Sequence, residues 1–352
     1  MKTIEALFEA QKIAFSPFVF HTAATMLDLN IFEEIENNRK DKLTIEELAI
    51  KTNVSKYGIT VLIEMAVASN IVEIDLVGKL SLSKIGYLIL SDNMTKVNLF
   101  FTRDVCYLGL NNLTDAIKNG KPEGLKAIGD WSTVYEGLSQ LPENIKKSWF
   151  DFDHYYSDNA FDEALKIIFK SNPKTIFDIG GNTGKWSIAS TNHSPTVEVK
   201  ILDLPGQIKL AQANINTMDA IKDRVSYLGL NILDPNSVIP AGADVYWMSQ
   251  FLDCFSENEI ESILLKIKAN CSVDAEIYIM ETFIDDQTFQ AASFSLIATS
   301  LYFTAIANGN SKMYSKSIFK YIIDKAGFEV VGDYKMEGKG YHTILHCKLK
   351  KA

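Results

Sequence analysis

Cysteine and histidine are scarce in this 352-residue chain, which holds four cysteines and five histidines. The cysteines lie far apart, with no C-x-x-C pair and no histidine cluster beside any of them. Structural zinc sites and disulfide frameworks need closely spaced groups, so the sequence predicts neither. It also has no carboxylate cluster that would demand magnesium, and we therefore expect no bound metal. The cysteines are Cys106, Cys254, Cys271 and Cys347.

Excess positive charge is missing as well. The formal net charge is −9, which argues against a general affinity for nucleic acid or for anionic membranes. The N-terminal stretch has no apolar signal core because Glu5 and Glu9 interrupt it. We expect no uncharged apolar run of about 18 residues, the length that spans a membrane. The sequence therefore predicts a cytoplasmic protein whose partner is a small molecule.

The length and the composition are those of ordinary globular proteins. A chain of 352 residues is long enough for two domains, and 47% hydrophobic and 22% charged residues are usual for soluble proteins. Residues 4–35 carry many large apolar side chains at helical spacing, and Pro17 interrupts the run. Two interpretations stay open: these are ordinary core helices, or a second subunit covers their apolar face.

Two helices and a hairpin follow in the order of a winged helix. Thr44 to Glu47 has the spacing of a capping box, a second helix comes next, and residues 71–74 and 79–82 alternate as a hairpin would. The charge disfavours DNA binding, because residues 1–104 hold eleven Lys and Arg against fourteen Asp and Glu. Lys56 is the only basic residue of the second helix. We therefore expect no nucleic-acid partner.

The central feature of the sequence is Lys174 to Gly184, KTIFDIGGNTG. Its apolar, β-rich start predicts a strand, and the glycines and Asn182 predict a turn that a ligand can approach closely. The spacing Asp-x-Gly-x-Asn-x-Gly differs from the G-x-G-x-x-G of dinucleotide binders. The carboxylate of Asp178 would repel a pyrophosphate but can pair with an ammonium group. A tight strand-to-helix turn without a ligand is the alternative.

A second acid follows the next strand. Asp203, in Asp203-Leu204-Pro205, can accept hydrogen bonds from both hydroxyls of a ribose. Together with the turn, these residues resemble the S-adenosylmethionine site of class I methyltransferases. The Asp-Leu-Pro sequence narrows the resemblance to small-molecule O-methyltransferases that share a winged-helix dimerisation domain. The resemblance covers nearly the whole chain and is strongest at residues 175–205 and 246–282.

Strands and helices alternate in the C-terminal half, which predicts a mainly parallel sheet with helices on both faces. The fold class is therefore α/β: a Rossmann-like, doubly wound C-terminal sheet preceded by an N-terminal all-α, winged-helix dimerisation domain. We expect the dimerisation domain at 1–100, a helical linker with a substrate-pocket segment at 101–160, and the S-adenosylmethionine-binding domain at 161–352.

The resemblance implies a cofactor site whose residues follow the strands. The first two glycines of the turn would lie beneath the amino-acid portion of S-adenosylmethionine, and Asp203 at its ribose. Asn231 and Ile232 take the place of a family Asp-Met pair beside the adenine. An ordinary loop is the alternative there, and Asp234 is an alternative to Asn231. The predicted cofactor-binding residues are Asp178, Gly180, Gly181, Gly184, Asp203, Leu204, Asn231, Ile232 and Ser249.

The segment before the central strand is unusually aromatic between Trp149 and Tyr156. A core helix would explain this composition, but the resemblance places here a Phe-Asn-x-x-Met stretch that lines the acceptor pocket. Aromatic side chains would stack on a planar substrate and shelter the methyl donor from water. The predicted substrate-binding residues are Phe152, Tyr155, Tyr156 and Met313.

The expected catalytic histidine is missing. Plant-type members of the family supply this base in a Met-Lys-x-x-Leu-His-Asp-Trp-Ser segment, and the matching residues 248–256 place Asp253 at the histidine position. Aspartate has an unperturbed pKa of about 3.9, so it is a weak base for a phenol unless burial raises its pKa. Glu281 matches one acid that flanks the histidine, and Met313 replaces the other. The candidate catalytic residues are Asp253, Glu281 and His154.

These features indicate a homodimeric, metal-independent, S-adenosylmethionine-dependent O-methyltransferase that acts on a hydroxyl of an aromatic or polyketide-like molecule. Two other hypotheses stay open. One is a noncatalytic or regulatory protein that uses the winged helix for DNA or for a protein partner. The other is an enzyme that uses the cofactor for a reaction other than methylation.

Overall fold

The computed structural model describes residues 1–336 and 341–351, and the chain divides into two compact units, Met1–Asp104 and Val105–Ala352. The elements of the first unit are α1 (Thr3–Ala14), α2 (Ser16–Asp28), α3 (Ile31–Asn37), α4 (Ile45–Thr52), α5 (Lys56–Ala68), β1 (Val72–Ile74), β2 (Leu80–Leu82), α6 (Lys84–Ser91) and α7 (Asn93–Phe101).

Local signals in the sequence explain the middle of the first unit. The Thr44 hydroxyl accepts a hydrogen bond from the Glu47 amide, and the Glu47 carboxylate accepts one from the Thr44 amide, which completes the predicted capping box of α4. The Ser55 hydroxyl caps α5, and β1 pairs antiparallel with β2. The apolar stripe of α5, including Ile59 and Ile63, is buried in the core of this unit. Helices and hairpin therefore follow in the predicted order.

Helix α1 differs from its neighbours because none of its residues is buried. Ile4, Leu7, Phe8 and Ile13 are each more than half exposed. Removing apolar surface from water is favourable by about 25 cal/mol per Å², so an uncovered face of this kind favours a protein partner. Of the two interpretations open from the sequence, an ordinary core helix does not describe α1.

The second unit alternates helices and strands after residue 160. Its helices are α8 (Leu113–Asn119), α9 (Val134–Gly137), α10 (Glu143–Ser157), α11 (Phe161–Ile168), α12 (Lys185–His193), α13 (Pro205–Ile215), α14 (Glu257–Asn270), α15 (Gln290–Tyr302) and α16 (Lys316–Lys325). Its strands are β3 (Thr175–Ile179), β4 (Glu198–Asp203), β5 (Val225–Gly229), β6 (Val245–Ser249), β7 (Glu276–Glu281), β8 (Phe328–Lys335) and β9 (Thr343–Leu349).

The strands of the second unit form one seven-stranded sheet in the order β5-β4-β3-β6-β7-β9-β8. β3 to β7 run parallel, and β9 pairs antiparallel with both β7 and β8. The chain moves outward from β3 to β5 and returns on the other side with β6, so β3 and β6 are neighbours at the point where the strand order reverses. Ligands of open α/β sheets bind at the carboxyl ends of strands at such a point. The predicted α/β fold class is confirmed.

One expectation from the sequence was wrong. Residues Gln290–Ala307 form a continuous helical stretch of 18 residues without a charged side chain, long and apolar enough by composition to cross a membrane. Serine, threonine and glutamine residues interrupt the apolar side chains of this stretch, so the sequence alone does not show a continuous apolar run. A core helix of a soluble protein passes the same test, and only 39% of this stretch is buried.

Candidate active site

A cavity opens at the carboxyl ends of β3 and β6. It holds about 480 Å³ of empty space, a figure that includes the open solvent at its mouth. The turn after β3, the start of α12, the end of β6 and helices α10 and α11 form its wall. Predicted residues in the wall are His154, Asp178, Gly180, Gly181 and Ser249. The sequence did not single out Asp153, Lys185, Trp186, Trp247 and Gln250, which also line the cavity.

The turn after β3 needs its glycines. Gly180 has φ +75°, and a Cβ on it would lie 2.2 Å from the ring of Phe251. Gly184 also has a left-handed backbone, with φ +81°, and its amide donates to the Gly181 carbonyl at 2.8 Å to close the turn. A Cβ on Gly181 would meet a carboxylate oxygen of Asp178 at 2.8 Å. Neither Gly180 nor Gly181 thus has room for a side chain, and both residues line the cavity.

Asp178 lies beneath this turn and is almost fully buried. The Ser187 hydroxyl, one turn into α12, donates to its Oδ2 at 2.7 Å. Burial raises the pKa of Asp178 to about 7, and the negative charge of Asp203 acts in the same direction. A cationic group in the cavity would favour the ionised form of Asp178.

Asp203 ends β4 and is held by backbone amides. Asn182 N donates to one carboxylate oxygen at 2.8 Å, and Leu204 N donates to the other at 2.7 Å. Burial raises the pKa of Asp203 to about 6. Each carboxylate oxygen has a second lone pair, so both can also accept from a pair of hydroxyls. The structure thus fixes the orientation of Asp203 and gives Leu204 a backbone role.

Three buried polar atoms belong to wall residues and have no hydrogen-bond partner among the residues that the structure describes: Trp186 Nε1, Trp247 Nε1 and Gln250 Oε1. The two indole rings stack with their centroids 4.2 Å apart. Unpaired buried donors and acceptors are costly, so their presence in one cavity wall points to a polar ligand. An amino-acid group fits, because its carboxylate needs donors and its ammonium needs acceptors.

The predicted adenine residues lie on the loop after β5, outside the wall of this cavity. The Asn231 side chain accepts from Leu233 N at 3.0 Å, and Ile232 is buried in the core. The Lys266 ammonium holds the loop by donating to the carbonyls of Ile232 and Asp234 at 2.6 and 2.5 Å. This loop has a fixed shape and leaves the Asn231 amide on the surface.

Asp253 and Glu281 form a buried acid pair at the loop after β6. Glu281 Oε1 accepts hydrogen bonds from the amides of Phe251 and Leu252 at 3.2 and 2.9 Å, while its Oε2 has no partner in the described part of the chain. The Cys254 thiol donates to Asp253 at 3.5 Å. Burial raises the pKa of Asp253 to about 6. Burial and the charge of Asp253 raise the pKa of Glu281 well above its usual range.

Burial thus makes both acids more basic than they would be in water. Glu281 holds the loop through the two amides that donate to it. The weakness expected of an aspartate base is therefore reduced by burial, which the sequence could not reveal.

Aromatic hydroxyls surround the acid pair. The Tyr135 hydroxyl is buried beside the Cys254 thiol, and Trp149 Nε1 donates to the Tyr302 hydroxyl at 2.8 Å. The Tyr314 hydroxyl donates to the Phe255 carbonyl at 2.7 Å. The sequence did not identify these tyrosines, because isolated aromatic residues in helical segments look like ordinary core positions.

The predicted substrate residues lie in two places. Along α10, the rings of Phe152 and Tyr155 each contact that of Tyr156, with centroids 4.9 and 5.3 Å apart. Met313 is buried before α16, and its amide donates to the Ser300 hydroxyl at 3.1 Å. His154 belongs to the cavity wall, where its Nδ1 lies 3.7 Å from an Asp153 carboxylate oxygen.

Within residues 1–336 and 341–351, no group of three or more His, Cys, Asp and Glu side chains is arranged to hold a metal ion.

Comparison with known proteins identifies the domains. Residues 8–77 match the Dimerisation2-like domain, and residues 110–329 match the O-methyltransferase domain. The chain is 22% identical to the L-tyrosine C(3)-methyltransferase of Streptomyces lavendulae over 90% of its own length and 85% of that protein.

Solved structures share the fold. The mitomycin 7-O-methyltransferase MmcR superimposes with a TM-score of 0.72 at 17% identity, and the match covers 99% of this chain and 98% of that one. An O-methyltransferase of neocarzinostatin biosynthesis, in complex with S-adenosylmethionine and 2-hydroxy-5-methyl naphthoic acid, has a TM-score of 0.66 at 16% identity, covering 94% and 96%.

The O-methyltransferase domain spans more than half of the chain. The chain therefore belongs to the O-methyltransferase domain family, and it is an S-adenosylmethionine-dependent methyltransferase.

Proposed function

We propose that the protein transfers a methyl group from S-adenosylmethionine to a hydroxyl of an aromatic or polyketide-like small molecule, as a homodimer. The observation that carries this proposal is the buried acid pair: Asp253 follows the strand whose end lines the donor cavity, and burial has raised its pKa to about 6. An acid in that state can accept a proton from a hydroxyl.

Asp203, which adjoins the cavity through the Asn182 amide, and residues of the cavity wall would hold the donor in parts. Asp203 would accept from the ribose hydroxyls, Asp178 would face the ammonium, and the indole N–H groups of Trp186 and Trp247 would serve the carboxylate. S-adenosylmethionine supplies an electrophilic methyl group on a sulfonium, which needs no further activation. The protein's tasks are then to orient the acceptor and to remove its proton.

Asp253 would remove the acceptor proton while Glu281 holds the backbone of residues 251 and 252 in place. In this arrangement Glu281 contributes to the reaction by holding Asp253 in position. His154, in the cavity wall beside Asp153, is the other candidate base from the sequence.

The aromatic side chains of α10 support a planar acceptor. A naphthoic acid is bound in one structural neighbour, and L-tyrosine is named as the substrate of one relative. That relative spans 90% of the chain and methylates carbon, which favours a second candidate reaction. Removal of a phenol proton by Asp253 would also make the ortho ring carbon nucleophilic. After methyl transfer to that carbon, the ring would become aromatic again by losing the carbon's proton while the oxygen regains its own, so the same site could methylate carbon.

The test is a mass-spectrometric screen. The purified protein is incubated with S-adenosylmethionine and a panel of phenols, naphthols and tyrosine. Mass spectrometry detects products with one added methyl group, and NMR determines the atom that carries this group. We expect methylation of at least one phenol on oxygen. Methylation on a ring carbon alone would select the second reaction. Cofactor binding without any product, together with a salt-sensitive DNA complex, would select the regulatory alternative.

A further inference from the structure

Asn182, at the centre of the turn after β3, contacts three different parts of the second unit. Its backbone amide donates to Asp203 at the end of β4 at 2.8 Å. Its side-chain Nδ2 donates to the Asp153 carboxylate on α10 at 3.2 Å, and its Oδ1 accepts from Gln207 Nε2 on α13 at 2.7 Å. One residue thus joins the cofactor turn to α10.

The chemistry of these partners fixes the orientation of the Asn182 amide. An ionised carboxylate only accepts hydrogen bonds, so the NH₂ group must face Asp153. The oxygen then faces the Gln207 amide, and both ends of the group are engaged. Rotating the side chain would break both bonds at once, so the amide is a rigid link.

The backbone of Asn182 also selects the residue type. Its φ is +48°, in the left-handed region that asparagine and glycine tolerate better than other residues. Glycine would keep this backbone and the N–H to Asp203. The contacts with Asp153 and Gln207 depend on the side chain alone. A glycine substitution therefore tests these side-chain contacts separately from the backbone contact with Asp203.

Asp153 lies in the aromatic stretch of α10 between Phe152 and His154. It therefore ties the helix that carries Phe152, Tyr155 and Tyr156 to the turn over the donor cavity. A ligand that holds Asp203 in place would also restrain the turn, because Asn182 N donates to Asp203. The turn would in turn restrain Asp153, because the Asn182 side chain donates to its carboxylate.

We propose that Asn182 is the positioning residue that couples the donor cavity to the acceptor helix, so that an S-adenosyl ligand in the cavity orders α10. The proposal rests on the proposed function, in which Asp203 meets the ribose and α10 borders the acceptor. It gives binding an order: the nucleoside ligand comes first and prepares the surface on which the aromatic acceptor then docks.

The experiment uses S-adenosylhomocysteine, full-length protein and two variants. Asn182→Gly keeps the backbone contact with Asp203 and removes the side-chain contacts with Asp153 and Gln207. Asn172→Gly is the matched control, because Asn172 is exposed and has the same left-handed backbone, with φ +52°. Calorimetry gives the affinity of each protein, and hydrogen exchange of the α10 amides is measured with and without saturating ligand.

We expect the ligand to slow exchange of α10 in the wild type and in Asn172→Gly. In Asn182→Gly the affinity should fall by no more than roughly a hundredfold, the size of one hydrogen bond to a charged group, while the added protection of α10 disappears. In an Asp153→Ala background, Asn182→Gly should have no further effect on that protection.

Wild-type protection of α10 in saturated Asn182→Gly would overturn the coupling and leave the proposed function intact, as would a wild type that binds the ligand without protecting α10. A folded wild type that does not bind S-adenosylhomocysteine would instead overturn the donor site itself, and the coupling with it.

Discussion

The donor cavity and the acid pair after β6 are held by different kinds of constraint. In the cavity, backbone geometry decides: Gly180 has no room for a Cβ, and backbone amides orient Asp203. At the acid pair, burial decides: Asp253 is a common residue type whose pKa rises because the surrounding protein shields it from water. A constraint on the backbone leaves a motif in the sequence, whereas a constraint on burial leaves almost none.

Substitutions in the donor cavity and in the acid pair should therefore impair different steps. Damage to the cavity should abolish binding of the donor, and damage to the acid pair should leave binding intact and slow the reaction. Substitutions at the two sites test this separation.

Gly180→Ala should weaken S-adenosylhomocysteine binding by roughly a thousandfold, because the new Cβ overlaps the Phe251 ring and the backbone is left-handed. Calorimetry measures the affinity. Gly120→Ala is the control: Gly120 has φ +60° but open space around it, so its variant should lose some stability and no affinity. Equal affinities for the two variants would contradict a turn that contacts the ligand.

Asp253→Asn should lower kcat/KM at least about a hundredfold for an acceptor found in the phenol screen, since general bases contribute that much or more. Affinity for S-adenosylhomocysteine should stay unchanged. Asp219→Asn, at an exposed surface ion pair with Lys222, serves as the control. A rate equal to that of the wild type would show that Asp253 is not the base and would leave His154 as the candidate.

Asp203→Ala should weaken S-adenosylhomocysteine binding roughly thirtyfold, as expected for two lost hydrogen bonds of about 1 kcal/mol each. Asp244→Ala is a matched control, because Asp244 also accepts two backbone amides, from Lys174 and Thr175, at the other end of the sheet. The two variants should lose comparable stability, measured by thermal unfolding. Only Asp203→Ala should lose affinity; an unchanged value would remove Asp203 from the site.

The pH dependence of binding should be the smallest effect. In the free protein the pKa of Asp178 is about 7, and an ammonium group beside it would lower that pKa in the complex. Affinity is then fully present above that pKa and is lost as the pH falls through it, roughly tenfold between about pH 7.5 and pH 6. Calorimetry at several pH values checks this, and Asp178→Asn should flatten the profile. A profile unaltered by this substitution would show that Asp178 does not face the ammonium.

The sequence predicted much of the fold and family, because hydrophobic periodicity, glycines at left-handed positions and an acid after a strand leave visible patterns. The α/β class, the cofactor and the methyltransferase family are confirmed. The individual site residues stay predictions. Gly184 closes the turn and Ser249 lies in the cavity wall, yet Asn231 and Ile232 lie outside that wall.

Other features depend on three-dimensional packing and could not be predicted. The unpaired indole groups of Trp186 and Trp247 look like core positions in the sequence. The three contacts of Asn182 join segments separated by 21 to 29 residues, so no local pattern reveals them. The pKa of Asp253 depends on the atoms packed around it and not on its neighbours in the sequence.

The most direct measurement is a calorimetric titration of the wild-type protein with S-adenosylmethionine and, separately, with S-adenosylhomocysteine. We expect both ligands to bind with micromolar affinity, one ligand per chain. The Asp253→Asn variant should bind them equally well. No binding of either ligand at millimolar concentration, with the protein folded, would contradict the assignment of the cavity after β3 as the donor site.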